Sequence, residues 1–439
     1  MTGGRGGHLT GMIPTLRAPD STVAFLRHGY TFVSRTCDRL GTDGFATRLV
    51  GRPMVCLRGA DAARFFYSAD AFTRAGAIPA SVAHLLQDDG SVQSLNGPEH
   101  RHRKALFRQV LPTGPDGPMH GALTDDALSA AFEARWHRAV HGWQRAGSVV
   151  LHRELPEVLT RAALDWSGTT VTEPRAARLS GQLAAMVERA GSFGPTNWIA
   201  RARRRDAERW ATQLIREVRQ GRPGRSGAAV VSDASPVAAV AGYRDPEGRA
   251  LPPEIAAVEL INLLRPVVAV WLFMVFAAHA LVRYPQWRER FAGGDEESLP
   301  AFVDEVRRFY PFFPAIAGFA GAAQDWQGHR FAAGDWVMLD LYGTNHDPRS
   351  FDEPLAFRPE RFAGAVELPE ALVPQGAGDP ATGHRCPGEQ ATRSLMAQAV
   401  RLLTRSVRYR VPSQDLHIDL RRMPARPADG MVIADVRPA

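Results

Sequence analysis

Apolar residues recur at three- and four-residue spacing along most of this chain, which is the pattern of helices that bury one face. The helical segments are Asp126 to Gln144, Glu157 to Trp166, Arg175 to Ala190, Arg203 to Arg219, Pro253 to Tyr284, Pro300 to Tyr310 and Gln390 to Ser406. The strand-like pieces are shorter, and they are Arg48 to Leu57, Trp336 to Leu341 and Val407 to Val411. The pattern predicts a mainly α fold with a small β portion.

The chain is long enough for a substantial core, because 45% of its 439 residues are hydrophobic. Length alone would allow about three domains, but no strong linker divides the sequence. We therefore expect one domain over residues 19–439, preceded by a flexible Gly-rich segment at residues 1–18. Two stretches rich in turn-forming residues, 221–235 and 364–383, are expected to be surface loops.

The charge and the apolar runs exclude several classes of protein. The formal charge of +7 is spread along the chain, mostly on arginine, and is too diffuse to indicate a nucleic-acid partner. The N-terminal residues lack the apolar core of a signal peptide. The unbroken apolar run Val267 to Ala278 is shorter than the ~20 residues that a membrane span requires. We expect a soluble, cytoplasmic protein of bacterial type, and the sequence does not indicate its oligomeric state.

The cysteines are Cys37, Cys56 and Cys386, which are widely separated and show no spacing typical of zinc or of a disulfide framework. Cys386 lies in a Gly-rich turn, Gly383 to Glu389, that opens directly into a helical segment. Unpaired N–H groups and the dipole at a helix start stabilise a thiolate. Gly388 lets a large flat ligand approach the backbone, and His384 can donate to an anionic edge of it. These residues favour a cysteinate site for haem over a buried structural cysteine.

Polar positions interrupt the long apolar segment Pro253 to Tyr284 on one face. They are Glu259, Asn262 and Arg265. Pro266 has no N–H to donate to the carbonyl of Asn262, so a bend or opening is expected there. Arg265, beside that opening and close to Ala269, would be a fixed positive charge in apolar surroundings. Such a charge fits a bound anion, an internal ion pair or an arginine that reaches solvent, and the residues alone leave this open.

A further pair, Glu305 and Arg308, is one helical turn apart and is followed by the segment Pro359-Glu360-Arg361-Phe362. Alone, such a pair is a commonplace surface feature worth ~0.2–0.5 kcal/mol. Together with the cysteine loop, and in this order, these elements resemble the cytochrome P-450 superfamily. The resemblance implies a triangular helical prism with haem b between the long central helix and the loop. It also implies that Cys386 is the axial ligand and that Glu305, Arg308 and Arg361 are a structural triad.

Several separated segments are similar to one branch, the bacterial fatty-acid peroxygenases. They are Ser94 to Gly97 leading into His100 to Lys104, Ile261 to Pro266, Leu341 to Pro348 and Gly383 to Glu389. The similarity runs from about residue 20 to the end of the chain. Most of the superfamily carries an acid followed by Thr in the central helix as a proton relay. Arg265 and Pro266 occupy that region here, so the usual relay is missing.

The resemblance implies that Arg265 binds the carboxylate of a long-chain fatty acid. That carboxylate would act as acid and base toward hydrogen peroxide, so no redox partner is required, and the product would be hydroxylated at the alpha or beta carbon. The expected catalytic residues are Arg265, Pro266, Gln93 and Asn262, and the expected substrate contacts are Arg265, Phe312, Gln93 and Ala269. From the residues alone, Phe312 also fits an ordinary core position and Gln93 an ordinary loop position.

The resemblance leaves the reaction partly open. Gln93 aligns with a position at which relatives with His lean toward decarboxylation to terminal alkenes, whereas those with Gln mostly hydroxylate. Gln87 stands where the branch usually has Phe, which leaves chain length and regiochemistry undecided. A fatty-acid decarboxylase and a reductase-dependent haem monooxygenase are the alternatives.

The haem propionates need cationic or donor partners. His100 and Lys104 share a helix face at i,i+4, and the resemblance implies that they contact the propionates, with Arg74 as a further candidate. A solvated helix face or a phosphate-binding patch is the alternative reading of this basic cluster. The full set expected to contact haem is Cys386, His384, His100, Lys104, Arg74, Gly388 and Gln375.

Overall fold

The computed structural model describes residues 13–68, 71–87, 90–111, 127–221, 226–230, 232, 234–365 and 367–439. The α-helices are α1 Thr22–His28, α2 Phe32–Leu40, α3 Ala60–Phe66, α4 Ala80–Leu86, α5 Gly97–Val110, α6 Ala127–Ala146, α7 Leu151–Trp166, α8 Glu173–Glu188, α9 Pro195–Gln220, α10 Pro236–Gly242, α11 Pro253–Ala269, α12 Trp271–Arg283, α13 Pro285–Ala292, α14 Leu299–Phe309, α15 Leu341–Asn345 and α16 Glu389–Arg401. Short 3-10 helices are present at Gly29–Thr31 and Pro359–Phe362, and a π-helical turn follows α16 at Leu402–Ser406. The mainly helical prediction is confirmed.

The strands form small sheets at the edge of the helical body. They are β1 Gly44–Leu49, β2 Arg52–Leu57, β3 Phe72–Thr73, β4 Ser148–Val150, β5 Thr169–Val171, β6 Ala228–Val230, β7 Ala315–Ala320, β8 Gln324–Trp326, β9 His329–Phe331, β10 Trp336–Asp340, β11 Val407–Arg410 and β12 Val432–Pro438. The largest sheet has the order β1-β2-β10-β7-β3, a second has the order β11-β12-β4, and β5-β6 and β8-β9 are separate pairs. In the largest sheet β10 is parallel to β2 and antiparallel to β7.

One turn and one bend are placed differently by the structure than by the sequence-based prediction. The single strand expected over Arg48 to Leu57 is a hairpin, because Val50 and Gly51 turn the chain with φ of 52° and 72°. The bend expected at Pro266 is displaced: α11 continues through that proline and is interrupted at Val270, whose N–H bonds to the carbonyl of Val267 at 3.3 Å. Side chains on both sides of Pro266 are buried in the core, and this packing keeps its turn helical.

Other expectations concern loops and the N-terminus. The stretch 221–235 contains β6, which pairs with β5, and residues 222–225, 231 and 233 lie outside the described residues. Of the predicted flexible segment 1–18, residues 1–12 lie outside the described part of the chain. Leu16 donates its N–H to the carbonyl of Ala46 at 2.9 Å, so contacts with the sheet already begin before residue 19.

The central helices α11 and α12 form the middle of the core. The segment Pro253–Arg283 is long and apolar enough to cross a membrane, with a mean hydropathy of 2.1, but 94% of its most apolar window is buried inside the protein. A helix that is apolar on all faces must be surrounded, and α7, α8, α9, α10, α14 and α16 pack around these two. The segment therefore consists of buried core helices.

The structure brings Glu305, Arg308 and Arg361 together behind the cysteine loop. Both carboxylate oxygens of Glu305 accept hydrogen bonds from Arg308, at 2.7 and 2.8 Å, and Nε of Arg361 lies 3.1 Å from Oε2. The backbone N–H of Arg358 adds a bond of 2.7 Å to the same carboxylate. Because the Glu305 and Arg308 side chains are fully buried, this group ties α14 to the 3-10 helix Pro359–Phe362.

We expect Glu305→Gln to lower the free energy of unfolding by about 3–5 kcal/mol, because it leaves buried guanidinium groups without their counter-charge. Denaturant unfolding of the purified holoprotein measures this. The matched control is Glu353→Gln, which removes an exposed carboxylate paired with Arg358 and should cost less than about 1 kcal/mol. Equal effects of the two substitutions would show that the buried group does not stabilise the fold.

Candidate active site

The Cys386 thiol lies in the turn before α16 and already has hydrogen-bond donors directed at it. Nε2 of Gln375 is 3.7 Å from Sγ, and the N–H of Cys386 donates to the carbonyl of Gln375 at 3.1 Å. Burial raises the pKa of the Cys386 thiol, whereas hydrogen bonds from Gly388 and Gln375 and the charge of Lys104 act in the opposite direction. The donors therefore favour a thiolate in a place where burial alone would keep the thiol protonated.

The Gln375 amide is held in one orientation. Its Oε1 accepts from Nε of Arg307 at 3.3 Å, and its Nε2 donates to the hydroxyl of Thr392 at 3.0 Å. Arg307 is fully buried, pairs with Asp304 at 2.7 Å and also binds Glu389, the first residue of α16. This ionic network turns the amide nitrogen of Gln375 toward the thiol.

A cavity beside the cysteine loop brings together three of the residues predicted from the sequence, namely Arg74, His100 and His384. The Arg74 side chain is buried, with its guanidinium carbon 4.2 Å from the ring centre of Phe66, and it donates to the carbonyl of Ala317 at 3.3 Å. Burial lowers the pKa of Arg74. Among the residues that the structure describes, no carboxylate forms an ion pair with it.

His100 and His384 stack with ring centres 4.0 Å apart and an interplanar angle of 28°. Burial, followed by the nearby charges of Lys104 and Arg74, lowers the pKa of His100 to about 4 and that of His384 to about 2, so both rings are neutral at pH 7. Lys104 donates to the carbonyls of Gly383 and Arg385, the latter at 2.7 Å. Burial lowers the pKa of Lys104 to about 8. The helix face of α5 is therefore bound to the cysteine loop, so this face is not simply solvated.

On the other side of the site, α11 presents a buried polar network. Glu259 forms an ion pair of 2.6 Å with Arg103, and both side chains are buried. It also accepts from the N–H of Val92 at 2.9 Å and from Nδ2 of Asn262 at 3.3 Å. Burial raises the pKa of Glu259, although the charge of Arg103 acts against this. The ion pair therefore fixes α5, α11 and the residue 91–94 turn to one another.

Gln93 and Asn262 are in direct contact within this network. Nδ2 of Asn262 donates to Oε1 of Gln93 at 2.9 Å, and the Ser91 hydroxyl donates to the same oxygen at 3.0 Å. Both acceptors of the Asn262 Nδ2 group are oxygens, which fixes the orientation of its amide. Its Oδ1 is buried and has no hydrogen-bond partner among the described residues.

Arg265 lies one helical turn beyond Asn262 on α11. Its side chain is buried, and its Nη1 donates to the carbonyl of Leu85 on α4 at 3.3 Å. The predicted neighbours Pro266 and Ala269 belong to the same helix. Phe312 stacks on Phe273 of α12 with ring centres 4.2 Å apart, a contact that an ordinary core residue would also make. Gln87 caps α4, and residues 88–89 that follow it lie outside the described residues.

The comparisons with known proteins agree with this geometry. The model of the cytochrome P-450 family matches residues 297–423. The solved structure of cytochrome P450SP alpha (CYP152B1) in complex with (R)-ibuprophen is 40% identical, covers 96% of this chain and 99% of its own, and has a TM-score of 0.88. Cytochrome P450EX alpha (CYP152N1) with myristic acid is 35% identical, covers 98% of this chain and 100% of its own, and has a TM-score of 0.89. The chain belongs to the cytochrome P-450 superfamily.

Within the superfamily it belongs to the fatty-acid peroxygenase branch. A variant of the cytochrome OleT in complex with arachidonic acid is 30% identical, covers 98% of this chain and 99% of its own, and has a TM-score of 0.89. More distant curated relatives match only in part. The monooxygenase ple5B of Rhodocybe pseudopiperita is 39% identical over 72 residues, 16% of this chain and 14% of its own length. Salutaridine synthase of Papaver somniferum is 29% identical over 133 residues, 28% of this chain and 26% of its own length.

This P-450 is thus a haem oxidoreductase of the thiolate-ligated type, and its residues fit that cofactor. Haem carries two carboxylates, and the cavity, which Asp379 also lines, offers the buried charge of Arg74, with which no carboxylate of the described residues forms an ion pair. The Cys386 thiol has its donors in place, and a Cβ at Gly388 would lie 3.8 Å from Sγ, in the space next to the sulfur. Charge, donor set and free space therefore agree with a large anionic macrocycle.

Sequence reasoning missed three supporting residues. Arg307 was overlooked beside Arg308, although its i,i+3 spacing from Asp304 is visible in the sequence. Arg103 was not recognised as the partner of Glu259, because the two are 156 residues apart. Tyr67 carried no signal at all: its ring packs against Gly376, where a Cβ would lie 2.7 Å from the tyrosine hydroxyl.

We expect Gln375→Leu to remove a hydrogen bond to the sulfur and to shift the reduction potential of the haem-loaded protein to a more negative value, because the thiolate becomes more electron-rich. Spectroelectrochemical titration measures the potential. Gln213→Leu is the control, since that half-buried amide donates to the buried carboxylate of Glu217 on α9 and belongs to a different part of the fold from the cysteine loop. An unchanged potential in Gln375→Leu would contradict the role of this amide.

Proposed function

We propose that this P-450 uses hydrogen peroxide to hydroxylate long-chain fatty acids at the alpha or beta carbon. The observation that carries the proposal is the buried guanidinium of Arg265 on α11, one turn from the Gln93–Asn262 pair. The similar solved structures support it, because they contain ibuprophen, myristic acid and arachidonic acid, which are all carboxylic acids.

Arg265 would bind the substrate carboxylate. A guanidinium in apolar surroundings binds a carboxylate strongly, since little water competes for either group. The following residues of α11, up to Ala269, are apolar and suit an alkyl chain, and the exposed face of Phe312 is a second apolar contact. Fixing the carboxylate also fixes which carbons of the chain lie nearest the reaction centre, and this sets the alpha or beta position.

The bound carboxylate would then act as the acid and base. It accepts the proton from one oxygen of hydrogen peroxide and returns it to the other, which leaves as water, while one oxygen atom is inserted into a C–H bond of the substrate. The haem, when bound, supplies the iron at which peroxide reacts, and Cys386 is the proposed ligand of that iron. Gln93 and Asn262 would hold peroxide in position, because the Oδ1 of Asn262 is a buried acceptor without a partner in the described chain.

The sequence of the central helix supports turnover without a redox partner. Its residues after Arg265 are Pro266, Val267 and Val268, and none of them can relay protons. The substrate must therefore bring the missing group. We further propose that His100, Lys104 and Arg74 bind the haem propionates, with His384 beside them. A bacterial cytoplasm suits the protein, in which Cys37 and Cys56 are buried free thiols.

The test is a comparison of oxidants. Purified holoprotein is incubated with a long-chain fatty acid and either hydrogen peroxide or NADPH with a reductase system, and the products are identified by mass spectrometry. We expect 2- or 3-hydroxy acids with peroxide alone. Turnover only with the reductase system would refute the peroxygenase proposal, and terminal alkenes as the main product would establish the decarboxylase alternative.

We expect Arg265→Gln to lower kcat/KM for fatty acids by roughly 100-fold or more, because the general acid–base group is no longer bound. Steady-state peroxide-dependent kinetics measures the loss. Arg265→Lys, which keeps the charge without the planar fork, should recover part of the activity. The control is Arg201→Gln on α9, which should keep the parental rate. Parental kcat/KM in Arg265→Gln, with a normal haem spectrum, would remove Arg265 from the proposed role.

A further inference from the structure

An exposed apolar segment lies where α8 leads into α9. The side chains of Phe193, Trp198 and Ile199 are 62%, 65% and 55% exposed. Large aromatic and aliphatic side chains that are clustered and exposed mark interaction surfaces more often than single exposed residues do. We call these three residues the apolar tip.

The apolar tip is held in place by buried contacts on its inner side. Asn197 is buried and donates through Nδ2 to the carbonyl of Ser81 on α4 at 3.0 Å and to that of Arg189 at 3.4 Å. Gly191 packs against the carbonyl oxygen of Met423, which a Cβ would approach to 2.4 Å. The exposure of the tip is therefore a property of a fixed surface and not of a loose loop.

A cluster of positive charge adjoins the apolar tip. Arg189 ends α8, and the charges of Arg153, Arg189 and Arg422 all act on Arg426, whose pKa is lowered by burial and then by these neighbours. Nε of Arg426 is buried and has no hydrogen-bond partner among the described residues. The nearby carboxylate is Glu188, which is already bound by His152 at 2.9 Å. The cluster therefore carries an excess of positive charge.

We propose that the apolar tip and this arginine cluster form a docking surface for an anionic lipid membrane. Tryptophan and phenylalanine insert at the boundary between headgroups and acyl chains, and arginines beside them bind anionic headgroups. A second copy of this chain is a poorer occupant, because a symmetric contact would bring two arginine clusters together. The net charge of +7 acts in the same direction as the local cluster.

The docking surface is connected to the active site through α4. Ser81, at its beginning, accepts the bond from Asn197, and Leu85, near its end, accepts the bond from Arg265. Leu85 also packs with Ala185 of α8 and Ala200 of α9 in one apolar cluster. This step rests on the proposed function: a fatty acid that leaves the lipid at the tip would enter beside α4 and reach Arg265 with its carboxylate.

Co-sedimentation of the holoprotein with lipid vesicles tests the docking surface without any turnover. We expect binding to vesicles that contain about one third phosphatidylglycerol and at least tenfold weaker binding to vesicles of phosphatidylcholine alone. The double variant Phe193→Ser, Trp198→Ser should lose tenfold or more in affinity for the anionic vesicles. Leu355→Ser is the matched control, because Leu355 is 80% exposed and lies outside the tip.

The charge contribution is tested separately. Arg189→Gln with Arg422→Gln should weaken binding to anionic vesicles, and Arg410→Gln, an exposed arginine on β11, should not. Equal binding to both kinds of vesicle, or binding unaffected by the tip substitutions, would overturn the proposal. A dimer in lipid-free sedimentation velocity that the tip variant abolishes would make the surface an interface between copies instead.

Peroxide-dependent turnover of a water-soluble short-chain acid distinguishes failure of the docking proposal from failure of the proposed function. The tip variants should keep the parental kcat/KM for such an acid, because they do not touch Arg265. Loss of vesicle binding with this rate retained supports docking. Loss of both in the tip variant would show that the substitutions disturb the fold and that the tip is a structural element, against the proposal.

Discussion

A buried sulfur becomes a thiolate only where hydrogen-bond donors and positive charge replace the water it has lost, and the structure around Cys386 satisfies this requirement. The start of α16 brings Gly388, and a separate loop brings Gln375. The amide of Gln375 is turned toward the sulfur by Arg307, which in turn is held by Asp304 and Glu389. The orientation of the donor to Cys386 thus depends on an ionic network between α14 and α16 whose charged side chains do not contact the sulfur.

The charges are distributed differently on the two sides of the site. Behind the cysteine loop, buried arginines are balanced by acids of the chain, as in the pairs Arg308–Glu305 and Arg393–Asp304. On the side of the cavity, no acid of the described residues forms an ion pair with Arg74, and Lys104 is bonded to backbone carbonyls. Arg265 lies on α11 and donates to the carbonyl of Leu85 on α4. Because buried cations bind anions, the cavity fits the haem carboxylates, and under the proposed function Arg265 would bind the carboxylate of a substrate.

The buried polar network on α11 shows how one ion pair supports several candidate functional residues. Glu259 joins Arg103 of α5 to the turn that carries Gln93, and it also bonds to Asn262. Truncating such a buried acid would release the amide pair and not merely remove a charge. The position of Gln93, from which hydroxylation was predicted over decarboxylation, is therefore set by a carboxylate that need not meet the substrate.

Much of this could be predicted from the sequence. The cysteine loop, the central helix with Arg265 and the Glu305–Arg308 pair are local patterns, because each depends on residues within a few positions of one another. Arg103 and Glu259, or Tyr67 and Gly376, are far apart in the chain, so no local pattern reveals them. The hairpin was missed because Val50, a β-branched residue that favours strands, occupies the turn itself with a positive φ. The bend expected at Pro266 was misplaced because packing, rather than the proline, determines where the helix is interrupted.

The proposed function requires that the substrate carboxylate, held by Arg265, completes the catalyst. The most direct measurement compares a long-chain fatty acid with its methyl ester in peroxide-dependent turnover by the same holoprotein. The ester has the same alkyl chain but can neither accept the proton nor pair with the guanidinium. We expect hydroxylated product from the acid and a rate roughly 100-fold or more lower from the ester. Hydroxylation of the ester at the rate of the acid would contradict the proposed function.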